Sequence, residues 1–215
     1  MINFRLFGIE ITVHMWFWIT MALFGAMFNG GLQAFSPNDV LPVALFIIAG
    51  FLSVLVHELG HAIMIKKYQL PTEIHLIAFG GFATHPVGAL TRRQSFIVSI
   101  AGPAFQIALG LLAYAILLFV ELPETQIMKF IVPLAFISVF WAVINLIPVY
   151  PLDGGQMLAA VLGPRKAHIT YLVGVILPII VIGVLLMKSI ILPIGFIFLG
   201  FFAYQNWQRY EAAKP

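Results

Sequence analysis

His57, Glu58 and His61 stand in the order H-E-x-x-H. On an α-helix, residues four apart lie one turn above another, so both imidazoles can reach one Zn²⁺ while Glu58 addresses its bound water. That is the equipment of a metal-dependent hydrolase. Catalytic zinc usually takes three protein ligands and keeps a fourth position for water, so another segment has to supply the third. The informative candidate is Asp153, in N-L-I-P-V-Y-P-L-D-G-G at 145–155, where two prolines and two glycines interrupt the helix and free backbone to shape a pocket. Among the eight acids only Glu58 and Asp153 sit within or beside apolar runs in such a context. An ionisable group there is costly unless paired or bound to metal. Zinc would lower the pKa of its water to about 7, and Glu58, not itself a ligand, would take the proton and return it to the leaving amine. Asn145 has two readings: its amide donates to the tetrahedral oxyanion, or it braces the broken backbone.

These residues sit in a chain of 215 residues that is 62% hydrophobic and 9% charged, with a mean hydropathy of +1.06. The flanks of the motif, 46–56 and 62–65, are apolar enough for the interior of a bilayer. Apolar runs occupy 11–28, 41–65, 95–120, 127–147, 169–187 and 190–204. Several exceed the roughly 18 residues that mark a membrane helix. The expectation is an all-α polytopic membrane protein, with about six transmembrane helices in one membrane-embedded domain over 1–215 and a core at approximately 41–160. Only Lys188 and Ser189 separate the last two runs, so a single broken helical hairpin is an alternative there. The first run has one Arg and one Glu before it and no small-residue cleavage site, and reads as a retained span.

A net charge of +3 does not point to nucleic acid, because the basic residues fall in scattered pairs rather than on one face. Those pairs set the orientation instead. Lys66, Lys67, Arg92 and Arg93 bracket the second connection, Arg165 and Lys166 lie in the fourth, and Arg209 and Lys214 in the tail. The first connection holds only Asp39, and the third holds Glu121, Glu124 and Lys129. By the positive-inside rule both termini are cytosolic, with Lys188 a minor exception. His57 precedes Lys66 by nine residues, which places it roughly 13 Å inside the cytosolic boundary. The absence of Cys excludes disulfides and thiolate ligands.

The connection at 71–90 alternates polar and apolar residues at Glu73, Ile74, His75 and Leu76 and carries Gly80-Gly81, which predicts a small interfacial β-hairpin turning at those glycines. An exposed hairpin edge could receive an unwound substrate as an added strand. The alternative is a purely structural hairpin. His14, His75, His85 and His168 read as interfacial residues first, and the aromatics Trp16, Phe17, Trp18, Tyr204, Trp207 and Tyr210 as interfacial belts.

HELGH on the second run, the Gly-Gly hairpin, A-G-P at 101–103 and N-x-x-P-x-x-P-L-D-G-G together resemble the site-2 protease family of intramembrane zinc metalloproteases. The opening G-I-E-I-T-V-H-M-W-F is similar to that of the family's compact branch, which includes a sporulation protease that processes a sigma-factor precursor. The resemblance implies one Zn²⁺ per chain held by His57, His61 and Asp153, Glu58 as the catalytic glutamate, and a core of the second to fourth spans. It also implies a single-pass membrane-protein substrate, a cell-membrane location with the site near the cytosolic side, and room for a membrane regulator. Gln106 departs from the Asn that the family often shows after A-G-P, and the sequence carries no PDZ or CBS domain. Gly102, Ala104 and Ala108 are expected to let the third span pack closely, with Pro103 bending it.

Two other classes stay open. A metal transporter or a client-binding homologue without proteolysis would be expected to carry several intramembrane acids or histidines along a path, whereas the polar groups here converge on one depth. A membrane hydrolase acting on lipid is the other.

Overall fold

The computed structural model describes residues 1–31, 36–120, 126–189 and 193–214. Glu121 and Glu124, part of the orientation argument, lie outside the described residues, as does the start of the last apolar run. The chain forms two compact units, one of residues 1–89 and 101–143, the other of 90–100 and 144–215.

The first unit opens with a hairpin, β1 (Ile2–Leu6) and β2 (Ile9–Val13), where a helical run was expected to begin. Phe7 and Gly8 make the two-residue turn, both at positive φ (51° and 71°), the backbone a tight hairpin requires. Lys66 Nζ donates to the Phe7 carbonyl over 2.8 Å and ties this turn to the second helix. In β2, Ile9, Ile11 and Val13 point inward while Glu10 is exposed. The first helix, α1 (Met15–Phe28), is therefore only 14 residues long and rises about 21 Å. A 3-10 turn at Pro37–Asp39 leads into α2 (Val40–Lys67), which carries H-E-x-x-H.

Next come β3 (Glu73–Ile77) and β4 (Gly80–Ala83). The hairpin is where the sequence predicted it, but its turn is at Ala78 and Phe79, and Gly80 and Gly81 belong to β4. The sheet order is β1-β2-β3-β4. The β2–β3 pair is parallel, which demands a long crossover, and α1 with α2 provides it. Ile9, Ile11, Val13, Ile74 and Leu76 on the covered face of the sheet pack with Phe17 and Met21 of α1 and Val54, Leu55, Leu59 and Ala62 of α2. A second core joins Phe46 and Ala49 of α2, Ala113 of α3 (Arg92–Phe119) and Leu134, Ala135 and Ile137 of α4 (Gln126–Asn145).

The face of α3 that turns inward differs from the expected one. Gly102, Gln106 and Gly110 are buried at four-residue spacing, while Ala104 and Ala108 are exposed. Pro103 is buried within a helix that continues to Phe119.

The second unit contains α5 (Asp153–Leu162), a 3-10 turn at Pro164–Lys166, α6 (Ala167–Met187) and α7 (Pro193–Ala213). Fully buried Asn206 of α7 donates from Nδ2 to the Tyr150 carbonyl (2.6 Å) and the Phe202 carbonyl (2.8 Å). A side chain at Gly174 of α6 would overlap that carboxamide, so glycine there admits it. The Arg209 guanidinium lies 4.3 Å from the centre of the Tyr150 ring.

Among the described residues, four helices are long and apolar enough to cross a membrane: α2, α3, α4 and the stretch from Pro164 through α6. The chain is thus a mostly helical multi-pass protein with a small sheet, one strand pair larger than the sequence suggested.

Candidate metal and catalytic centre

His57, Glu58 and His61 fall in the continuous part of α2, and all three are buried. The four-residue spacing does what the sequence argument requires. Nε2 of His57 and Nε2 of His61 are 3.1 Å apart, with the rings edge to face. Two nitrogen ligands at 2.0–2.1 Å from one tetrahedral ion are about 3.3 Å apart, so the pair fits zinc.

Three glycines let backbone approach this centre. A Cβ at Gly60 would lie 2.6 Å from the Ala101 carbonyl oxygen, which locks α2 against the A-G-P turn of α3. A Cβ at Gly102 would overlap the His61 imidazole. The glycine of A-G-P is thus the floor on which the second histidine rests. A Cβ at Gly81 would lie 2.7 Å from Glu58 Cγ and 2.9 Å from its Oε1, so β4 runs directly alongside the glutamate.

His57 is oriented from its far side. Its Nδ1 donates to Gln106 Oε1 over 2.9 Å, Gln106 Nε2 donates to Ser53 Oγ over 2.9 Å, and Ser138 Oγ donates to Ser53 Oγ over 3.0 Å. In the sequence Gln106 stands out only as a departure from a motif and Gly102 only as a small residue for close packing, while Ser53, Ser138 and the approach of Gly81 to Glu58 carry no signal there.

Asp153 is the first residue of α5 in the second unit and is buried there. A carboxylate in the first turn is favoured by the exposed amides and dipole of a helix N-terminus. Gly154 and Gly155 are not merely helix breakers, because a Cβ on either would run into the backbone of 146–150. The far end of α5 is held by Arg92, which donates from Nε to the Ala160 carbonyl over 2.8 Å and from Nη2 to that of Val161. Asn145 closes α4, half-buried, in the same unit. His14 and His75 have ring centres 6.1 Å apart at the sheet, His75 stacks on Phe82, and His85 is exposed beyond β4.

Residues 45–124 and 120–187 match peptidase family M50, and the chain belongs to that family. It is 29% identical over 167 residues to a zinc metalloprotease of Methanocaldococcus jannaschii, covering 77% of this chain and 46% of that protein. It is 32% identical over 163 residues to a putative zinc metalloprotease of Synechocystis sp., covering 73% and 42%. With the stage IV sporulation protein FB of Bacillus subtilis it shares 28% over 166 residues, covering 74% and 51%. The chain thus spans about half the length of these relatives. Its fold is similar to that of the site-2 protease from Methanocaldococcus jannaschii, with a TM-score of 0.61 at 24% identity over 97% of this chain and 94% of that one.

Proposed function

We propose that this chain is an intramembrane zinc endopeptidase that hydrolyses peptide bonds within or near the transmembrane segment of single-pass membrane proteins. His57, His61 and Asp153 would hold one Zn²⁺, the last from the head of α5. When bound, the ion supplies Lewis-acid activation of water and of the substrate carbonyl. Glu58 accepts the water proton and returns it to the leaving nitrogen. The Asn145 carboxamide donates to the developing oxyanion.

The observation that carries the reading is the position of β4. A transmembrane helix hides its peptide bonds in its own hydrogen bonds, so a protease must unwind it and replace those bonds. Thr84 N–H donates to the Glu73 carbonyl over 2.8 Å and Phe82 pairs with His75, so the amides of Phe82 and Thr84 face β3. Alternation then turns the N–H and C=O of Gly81 and Ala83 to the open edge. Gly81 is also the residue against Glu58. A substrate strand added at that edge has its carbonyls beside the general base. A transporter has no use for such an arrangement.

The reading includes a cell-membrane location, α1 and α7 completing six crossings, both termini in the cytosol and the centre near the cytosolic face. Purified protein in liposomes with a single-pass test substrate checks the roles. Glu58→Gln should abolish cleavage and retain zinc, whereas loss of zinc with cleavage intact would refute the assignment.

A further inference from the structure

Ser53, Gln106 and Ser138 are each fully buried, on α2, α3 and α4. An amide carried into an apolar span without partners costs several kcal/mol, on the order of 2–7. Here the carboxamide is hydrogen-bonded at both its nitrogen and its oxygen. Its Nε2 donates to Ser53 Oγ at 2.9 Å, and Ser53 Oγ also receives the Ser138 hydroxyl at 3.0 Å, so the oxygen at the end of the chain is an acceptor for both. That leaves Oε1 to face His57 Nδ1 at 2.9 Å. An amide oxygen can only accept, so the imidazole proton must sit on Nδ1, which puts the lone pair on Nε2. Nε2 is the atom turned to His61 Nε2 at 3.1 Å.

We propose that Gln106 is a positioning residue for the metal ligand His57: with Ser53 and Ser138 orienting its carboxamide, it holds the imidazole in the tautomer and rotation that present Nε2 to the ion. This rests on the reading of His57 as a ligand. A carboxylate commonly does this work at zinc histidines. The neutral amide does it without placing another anion beside Glu58 in an apolar span, where an added charge is costly. Room for the long side chain comes from its neighbours one turn away on the same face of α3. Gly102 admits His61, and at Gly110 a Cβ would lie 2.7 Å from Val139 Cγ2 and 3.1 Å from Ser138 Cβ, so α4 is drawn close enough for Ser138 to reach Ser53.

The test uses full-length protein in detergent, with Gln106→Met, Gln106→Glu, Ser53→Ala and His57→Ala variants. Zinc affinity is measured by competition with a chelator, and ¹⁵N NMR of histidine-labelled, metal-free protein reads the tautomers. Gln106→Met should weaken zinc by about 10–100-fold, the usual cost of losing such a partner. It should also move His57 from the Nδ1–H form to a mixture. Gln106→Glu, which keeps the acceptor, should bind zinc as well as wild type or more tightly, and Ser53→Ala should show a smaller loss in the direction of Gln106→Met. A merely structural role would leave the His57 tautomer of folded Gln106→Met unchanged. The proposal is overturned if Gln106→Met leaves both tautomer and affinity unchanged, or if Gln106→Glu loses as much zinc as Gln106→Met. Should Gln106→Met not fold, the glutamate and Ser53→Ala results decide. Zinc bound as tightly by His57→Ala as by wild type would instead sink the ligand reading beneath it.

Discussion

At the scale of single residues, the centre depends on glycines as much as on ligands, and two of them separate binding from turnover. Gly102→Ala pushes a methyl group into the His61 imidazole. The expected result is weaker zinc binding by chelator competition, together with a stability loss of about 1–3 kcal/mol from overpacking. Gly81→Ala pushes instead on Glu58. It should retain zinc and lose turnover by about 100-fold, the effect of misplacing a catalytic group by roughly 1 Å. His57, Glu58 and His61 were legible in the sequence because helical spacing alone decides which side chains share a face. Gln106 was not, because its partner His57 lies 49 positions away and a contact of that separation leaves no periodic trace. What the sequence did show at Gln106 was a polar residue in an apolar run, a signal that pointed to a buried partner without naming it.

At the scale of elements, the edge strand makes a discriminating prediction. Ala83→Pro removes an amide that faces the open side of β4, whereas Phe82→Pro removes one that faces β3. If substrate pairs with this edge, Ala83→Pro should lower cleavage severely while the melting temperature changes little, and Phe82→Pro should lower both. Unchanged cleavage by a folded Ala83→Pro variant would sink strand addition. In the second unit, Gly174→Ala should destabilise the protein by about 1–3 kcal/mol in thermal unfolding, since the added methyl meets a fully buried carboxamide. Hairpin β3–β4 was legible from alternation at Glu73, Ile74, His75 and Leu76. Its turn was misplaced by two residues because Gly80 and Gly81 suggest a turn, while the structure uses Gly81 for close approach to Glu58. The β1–β2 hairpin went unread because Ile11 and Val13 add to the apolar count of α1, with only His14 between Val13 and the helix. Alternation with Glu10 and Thr12 after Phe7-Gly8 was the available signal.

At the scale of the whole molecule, hydropathy conveyed a multi-pass helical protein, and among the described residues four helices meet the length and apolarity of a membrane crossing. Hydropathy counts apolar residues without asking whether lipid or protein covers them. In the first run that count merged a strand packed under α2 with a helix of 14 residues. Membership in peptidase family M50 joins this architecture to the buried histidine pair. The account therefore predicts that a zinc chelator stops proteolysis in liposomes and that added Zn²⁺ restores it, measured as appearance of substrate fragments. Most direct is mass spectrometry of membrane-protein fragments in cells carrying wild type or Glu58→Gln. The account predicts fragments ending within or near transmembrane segments that accumulate with wild type and are absent with Glu58→Gln. Identical fragment sets in the two strains would contradict it.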